Sequence, residues 1–193
     1  MSKNVRMLTE AAIMIAFAFV LSNIRLFSLP NGGSVTPGSM VPILLFAIRW
    51  TTKKKSPDDD EFSHNVFLKT LGISLLVATV EGILQFILGP KWSMHPVSIL
   101  FDYIVAFGVL GFAGIFGKST FGVITGVVLS VFLRFVCHII SGVVVFYEYA
   151  GTQNPWIYSI LYNGSFMSLE LLITILITVA LIQVPAILHP KND

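Results

Sequence analysis

Residues 95–114 read HPVSILFDYIVAFGVLGFAG, a stretch that is apolar almost throughout although Asp102 lies within it, beside Tyr103. About 20 apolar residues are enough for a helix to cross the hydrocarbon core of a bilayer. A carboxylate inside such a helix is costly, so it needs a partner or a function. The stretch therefore predicts a membrane-spanning helix that carries an ion-paired or functional acid.

The composition of the whole chain agrees with this interpretation. Hydrophobic residues make up 55% of the 193 residues, charged residues make up 11%, and the mean hydropathy is +0.84. These values are typical of an integral membrane protein rather than a soluble domain. The net charge of +2 indicates no nucleic-acid surface. We predict an all-α integral membrane protein with one membrane domain over residues 1–193.

Six apolar segments divide the chain and predict six transmembrane helices. The second segment can span only if it begins near Thr36, and the last is longer than a bilayer needs. The polar stretch 51–65, TTKKKSPDDDEFSHN, is predicted to be a solvated loop. Its acidic run lacks the glycine and oxygen spacing of a calcium loop, so no metal site is predicted there. The predicted helices cover residues 7–25, 36–50, 66–89, 97–117, 121–147 and 157–188.

The distribution of lysine and arginine predicts the orientation, because cytoplasmic loops are enriched in both residues. If the N-terminus is cytoplasmic, Arg25 and Lys91 are the basic loop residues outside the membrane. Both termini and the 51–65 loop are therefore expected in the cytoplasm, and loops 26–38, 90–96 and 148–156 outside. The basic residues then on the cytoplasmic side are Lys3, Arg6, Arg49, Lys53, Lys54, Lys55, Lys69, Lys118 and Lys191.

Polar residues from four predicted helices fall at a similar depth in the outer half of the membrane. Asp102 lies about 8 Å below the start of its helix at 1.5 Å per residue. Arg134 lies one turn deeper than His138 on the same helix face. A pocket that opens outward explains why these polar residues are concentrated in the outer leaflet. The residues concerned are Glu81, Gln85, Asp102, Arg134, His138, Tyr158 and Asn163.

Several explanations of these polar residues remain open at the level of sequence. Asp102 could form a purely structural ion pair with Arg134 or His138. The aromatic residues at the outer helix ends could be an interfacial belt. Aromatic rings around a carboxylate would also form a site for an organic cation, which each ring stabilises by roughly 0.5–2 kcal/mol. His95, Asp102 and His138 match metal-ligand spacing only weakly.

An intramembrane enzyme that uses Asp102, His138 and Glu81 chemically is a further alternative. Neither a nucleophile motif nor metal-ligand spacing accompanies these residues. We therefore predict that the protein is not an enzyme and that it needs no cofactor.

Five motifs follow one another in an order that is characteristic of a known family. They are LTEAAIMIAFAF (8–19), LPNGGSVTPGSMVPILLFAIRW (29–50), HPVSILFDYIVAF (95–107), RFVCHIISGVVVFYEYA (134–150) and WIYSILYNGSF (156–166). Together they resemble the thiamine-specific substrate-binding subunit (S subunit) of energy-coupling factor (ECF) transporters. The resemblance covers most of the chain and is weakest in 51–65 and in the last residues.

The resemblance implies six helices with both termini in the cytoplasm and a site that captures thiamine from outside with high affinity. Some members of the family have Glu where this chain has Asp102, and Trp where it has Phe146. Arg134 and Glu81 are expected to support the site, Arg134 by orienting Asp102 or His138. The ligand-binding residues implied by motif are Trp92, Asp102, Tyr103, His138, Phe146, Tyr158 and Asn163.

The same resemblance implies partners in a bacterial plasma membrane. S subunits work with a transmembrane coupling subunit and two ATPase subunits, and this chain has no phosphate-binding G-x-x-x-x-G-K-[ST] loop. Ala12 and Ala16 match the small-residue pattern that packs on the coupling subunit. Packing within the chain is the alternative role for these alanines. An S subunit for a different vitamin or a pyrimidine precursor is the alternative to thiamine specificity.

Overall fold

The structure, a computed structural model, describes residues 2–30, 32–51 and 60–188, and only the backbone of residues 60–63. The residues Lys53, Lys54, Lys55, Asp58, Asp59 and Lys191 lie outside the described residues. A two-stranded sheet, β1 (Phe27–Ser28) and β2 (Ser34–Val35), follows the first helix. The helices are α1 (Lys3–Ser22), α2 (Val41–Trp50), α3 (Asp60–Leu88), α4 (Pro96–Gly114), α5 (Thr120–Val145), α6 (Pro155–Ile182) and α7 (Pro185–Leu188).

Local sequence explains where the long helices begin. The side chains of Ser2, Ser119 and Asn154 each accept a hydrogen bond from a backbone N–H of the first turn that follows. Pro155 occupies the first helical position of α6, where its missing N–H costs nothing. Within the described residues, five helices (α1, α3, α4, α5 and α6) are long and apolar enough to cross a membrane, and α2 is a shorter apolar helix.

The second helix is shorter than predicted, because it begins at Val41 rather than at residue 36. Residues 34–35 pair with 27–28 as antiparallel strands, and Gly38 then turns the chain with a φ of 90°. A φ in this range favours glycine, so the turn is encoded locally. Nine of the ten residues of α2 are buried, which places this short helix in the core of the bundle.

The last predicted helix, 157–188, is also wrong as a single element. It ends at Ile182, and the short helix α7 begins at Pro185. Proline has no N–H to donate and disfavours a helical conformation of the residue before it, so the chain breaks there. The remaining predicted bounds differ at their ends: α1 covers Lys3–Ser22 instead of 7–25, and α3 begins at Asp60 instead of 66.

Helix α4 departs from regular α-helical geometry next to Asp102. Residues Ile99–Ile104 form a π-helical turn in which the N–H that follows, on Val105, bonds to the carbonyl of Leu100. Turns of this kind are rare and are frequently found at functional sites. The carbonyl of Tyr103 packs on α3 at Gly82, where an added Cβ would lie 2.3 Å from the carbonyl oxygen. Only glycine allows the two backbones to approach this closely.

Replacing Gly82 with alanine is expected to destabilise the protein. The new methyl group overlaps backbone rather than a flexible side chain, and overpacking of this kind costs about 1–3 kcal/mol. The measurement is the thermal unfolding midpoint of purified protein in detergent. Gly72→Ala is the matched control on the same helix, because nothing lies within 4 Å of its added Cβ. A Gly82→Ala midpoint as high as that of Gly72→Ala would contradict the proposed close packing.

Polar contacts join the elements at the end of the bundle that holds Arg49 and Leu188. Arg49 of α2 forms a 3.1 Å ion pair with Glu10 of α1. The ammonium of Lys118 donates to the carbonyl of Leu188 over 3.0 Å. Partial burial, and secondly the positive charge of Arg49, lowers the pKa of Lys118. These contacts lie on the side that the lysine and arginine distribution predicts to be cytoplasmic.

Candidate ligand-binding site

A cavity of about 230 Å³ lies at the other end of the bundle, between the first loop and helices α3 to α6. Arg134 lines its deeper part. Glu81 is buried outside the lining and accepts a 2.7 Å hydrogen bond from Gln85, which does line the cavity. The structure brings all the predicted ligand-binding residues to this cavity: Trp92, Asp102, Tyr103, His138, Phe146, Tyr158 and Asn163.

The carboxylate of Asp102 is held by three side chains. Ser98, one turn earlier in α4, donates to it over 2.7 Å, and Ser141 of α5 donates to the same oxygen. Nδ1 of His138 lies 2.8 Å from the other oxygen. Asp102 thus pairs with His138, one of the two partners left open by the sequence. Its orientation depends on these three contacts and not on a hydrogen bond from Arg134.

This pairing also determines which nitrogen of His138 can serve a ligand. An ionised carboxylate only accepts hydrogen bonds, so Nδ1 of His138 carries the hydrogen that faces Asp102. In the neutral ring Nε2 is then an acceptor. His138 therefore offers an acceptor nitrogen whose orientation is set by the acid behind it.

Aromatic rings form the walls around this acid. Phe146 stacks with Tyr149 at a centroid distance of 6.2 Å, and Tyr158 stacks with Tyr162 at 5.8 Å. The hydroxyl of Tyr103 donates to the carbonyl of Pro90 over 3.1 Å, which holds its ring at the cavity edge. The walls therefore present several π-faces within reach of one carboxylate.

Trp92 closes the cavity against the first loop. Its side chain is 49% exposed, and its indole packs on Gly32, where an added Cβ would lie 2.9 Å from the ring. Gly32 has a φ of 104°, a conformation that favours glycine. The loop–indole contact therefore depends on the absence of a side chain at this position.

Tyr158 and Asn163 reach the cavity from the first turns of α6. The amide nitrogen of Asn163 donates to the carbonyl of Ser159 over 2.9 Å. Among the hydrogen bonds of the described residues, none engages its amide oxygen, so Asn163 can offer an acceptor to a ligand. The hydroxyl of Ser159 in turn donates to the carbonyl of Ile139, which fixes α6 against α5.

Glu170, in the deep part of the cavity, is a residue that the sequence analysis missed. Its side chain is 6% exposed and accepts a hydrogen bond from the backbone N–H of Thr36 in the first loop. Arg134, which also lines the cavity, places its guanidinium 3.9 Å from the ring centroid of Phe107. A single acid in the apolar run FMSLELLITIL is the same signal that singled out Asp102, so the sequence could have identified Glu170.

The remaining predicted features lie away from the carboxylate. His95 caps α4, since its Nδ1 accepts from the N–H of Val97 over 3.2 Å. Among the residues that the structure describes, no group of three or more histidine, cysteine, aspartate or glutamate residues could hold a metal. Ala12 and Ala16 are exposed on α1 and do not line the cavity, to which this helix contributes Ser22 at its C-terminal end.

Comparisons with known proteins identify the family of this chain. The family model described as thiamine transporter protein (Thia_YuaJ) matches residues 8–55 and 66–189. The chain belongs to this family. Its members are transporters, so the prediction that the protein is not an enzyme is confirmed. The alternative in which Asp102, His138 and Glu81 act as intramembrane catalysts is therefore wrong.

Two relatives and one solved structure are similar to this chain over most of its length. Thiamine transporter ThiT of Bacillus subtilis is 34% identical over 182 residues, which cover 86% of this chain and 84% of the relative. Thiamine transporter ThiT of Lacticaseibacillus paracasei is 26% identical, with 99% and 94% covered. A structure of ThiT from Listeria monocytogenes has a TM-score of 0.79 at 22% identity and covers 98% of this chain and 100% of that one. The chain thus has the fold of that solved structure, and it is a multi-pass membrane protein of the all-α class.

Proposed function

We propose that this protein binds thiamine with high affinity in the cavity around Asp102 and serves as the substrate-binding subunit of an ECF-type vitamin transporter. The observation that carries the proposal is a carboxylate fixed by Ser98, Ser141 and His138 among aromatic rings. Membership of the thiamine transporter family supports the identity of the ligand.

The chemistry of thiamine suits such a site. Its thiazolium ring is a permanent cation, which Asp102 neutralises and which the rings of Trp92 and Phe146 stabilise through their π-faces. Its aminopyrimidine ring stacks on Tyr158, and the acceptors of His138 and Asn163 receive hydrogen bonds from its amino group. Tyr103 contributes the edge of its ring beside the acid. Charge, shape and hydrogen bonding thus select one ligand class together.

We propose that thiamine enters from outside the cell. The mouth of the cavity lies at the end of the bundle with few lysine and arginine residues, whereas Arg49 and Lys118 lie at the other end. Lysine and arginine enrichment marks the cytoplasmic side of a membrane protein. This distribution supports cytoplasmic termini and the plasma membrane as the location.

Transport driven by ATP requires other subunits, since the sequence contains no phosphate-binding G-x-x-x-x-G-K-[ST] loop. We propose that a transmembrane coupling subunit docks on α1 at Ala12 and Ala16 and that two ATPase subunits drive the cycle. Both alanines are exposed, which disfavours a role in packing within the chain. Small residues spaced four apart allow close approach of a partner helix.

Isothermal titration calorimetry with a vitamin panel tests the proposed ligand. Purified protein in detergent is expected to bind one thiamine and to ignore unrelated vitamins. Tighter binding of another vitamin, or of a pyrimidine precursor that lacks the thiazolium ring, would establish the alternative S-subunit specificity instead. Radiolabelled uptake into cells that express the chain together with an ECF module then tests its role in transport.

Thiamine is expected to quench tryptophan fluorescence through Trp92. Trp92 lines the cavity, whereas Trp156 and Trp50 do not. Trp92→Phe should therefore abolish most of the quench, and the matched control Trp156→Phe should retain it. Fluorescence titration measures both variants. An undiminished quench in Trp92→Phe would remove Trp92 from the binding site.

A further inference from the structure

Two basic side chains lie near each other at the end of the bundle opposite the cavity. The end of α4 packs directly on α2, since an added Cβ at Gly114 would lie 2.6 Å from Cβ of Thr51. Arg49 precedes Thr51 by two residues, and Lys118 follows Gly114 by four, in the loop between α4 and α5. Partial burial, and secondly the charge of Arg49, lowers the pKa of Lys118. Lys118 therefore lies in the electrostatic field of Arg49.

The described part of the chain does not neutralise these two cations. Nε of Arg49 lies 3.1 Å from a carboxylate oxygen of Glu10, the only described acid within 4.0 Å of either cation. The ammonium of Lys118 donates instead to the neutral carbonyl of Leu188 over 3.0 Å. An ammonium group has three N–H donors, so this contact leaves donors of Lys118 for an anion. One acid therefore faces two cations at this end of the bundle.

Exposed aromatic rings lie on both sides of Lys118 in the chain. Phe116, two residues before it, is 46% exposed, and Phe121, three residues after it in the first turn of α5, is 80% exposed. Exposed apolar side chains grouped in this way mark a site of contact with a membrane or a partner. Positive charge beside exposed rings at the end of two membrane-spanning helices fits a ligand that combines an anionic group with apolar chains.

We propose that Arg49 and Lys118 bind the phosphate group of an anionic phospholipid, whose acyl chains pack on Phe116 and Phe121. Basic pockets between membrane helices bind the head groups of anionic lipids, and basic residues near the surface of a bilayer attract them. A zwitterionic lipid fits less well, because the two cations repel its ammonium group. A soluble phosphate gains the cations but makes no contact with the rings. The inference is independent of the proposed vitamin ligand, since the cavity lies at the other end of the bundle.

Native mass spectrometry of the purified full chain tests this lipid site. The protein in detergent is mixed with equal amounts of phosphatidylglycerol, which is anionic, and phosphatidylcholine, which is zwitterionic. The first bound lipid is expected to be phosphatidylglycerol, with a preference of roughly fivefold for each cation that contacts it. Lys118→Gln should lower the preference about fivefold, because glutamine still offers a donor to Leu188 but carries no charge. The matched control is Lys69→Gln, which removes an exposed charge of α3 and should keep the preference.

A third arm distinguishes the lipid from its soluble head group. Glycerol 3-phosphate, which carries the same phosphate without acyl chains, should not displace phosphatidylglycerol when added in tenfold excess. Displacement would show a site for soluble phosphate and would overturn the assignment to a lipid.

The other outcomes also decide the inference. Equal binding of the two lipids to the wild-type protein overturns it without any variant, so the test stands even if Lys118→Gln does not fold. An unchanged preference in Lys118→Gln means that the anionic lipid binds elsewhere. An equal loss in Lys69→Gln means that the total charge of the surface, rather than a site at Lys118, selects the lipid. Each of these results contradicts the lipid site and leaves the proposed vitamin binding untouched.

Discussion

Asp102→Asn is expected to weaken thiamine binding by roughly 10- to 100-fold. A hydrogen bond or pair that involves a charge contributes about 1.5–3 kcal/mol, and each factor of ten in affinity corresponds to about 1.4 kcal/mol. Asparagine has the same size as aspartate, and its one oxygen still accepts from Ser98 and Ser141 while its amide nitrogen faces Nδ1 of His138, so the fold should be kept. Calorimetry with purified protein measures the loss.

Two controls isolate the charge of Asp102. A neutral pyrimidine fragment should lose much less affinity than thiamine, because it carries no cation. Glu148→Gln removes an exposed acid near the same end of the bundle that does not line the cavity, and it should leave binding unchanged. Equal losses of the fragment and of thiamine in Asp102→Asn would show that the substitution had damaged the site rather than removed a counter-charge.

The double substitution Ala12→Trp and Ala16→Trp is expected to abolish uptake while thiamine binding stays near the wild-type value. Both alanines are exposed on α1 and neither lines the cavity, which meets this helix at Ser22. Two indoles at these positions prevent a second helix from approaching closely. Calorimetry on the isolated protein, radiolabelled uptake in cells and co-purification with the coupling module measure the three consequences.

Leu172→Trp together with Leu176→Trp is the matched control for this double substitution. These leucines are also spaced four apart and exposed, but on α6. The control variant should bind and transport thiamine, because it adds the same two indoles to α6 rather than to α1. Normal uptake in the alanine variant would mean that the docking surface lies elsewhere. A loss of binding in that variant would mean that the alanines pack within the chain.

The length of the apolar segments predicted the long helices, because a helix of about 20 apolar residues matches the thickness of the bilayer core whatever its local sequence. The ends of the helices were less predictable, because they depend on single residues, such as Ser2, which caps α1, or Pro185, before which the chain leaves the helix. The π-helical turn at Ile99–Ile104 had no signal in its own sequence. The turn packs through the carbonyl of Tyr103 on Gly82, a residue of another helix.

The same contrast holds for the candidate site. Asp102 and His138 stood out because ionisable residues are rare in apolar helices, and the structure places them in contact. Ser98 and Ser141 gave no such signal, since small hydroxyl residues are common in membrane helices and only their positions in space make them partners of Asp102. Arg134 was expected to orient Asp102 or His138, but its guanidinium lies over the ring of Phe107, a contact that the sequence did not indicate.

The short helix α2 has a consequence for how the protein is built during translation. Ten helical residues extend about 15 Å, half the thickness of the bilayer core, and the preceding strand and turn leave backbone groups that lipid cannot satisfy. Thr36 finds its acceptor on Glu170, which the ribosome adds 134 residues later. The segment around α2 therefore cannot insert stably into the membrane independently of the later helices. It must wait for α6 to emerge, so the cavity is completed only when synthesis is nearly finished.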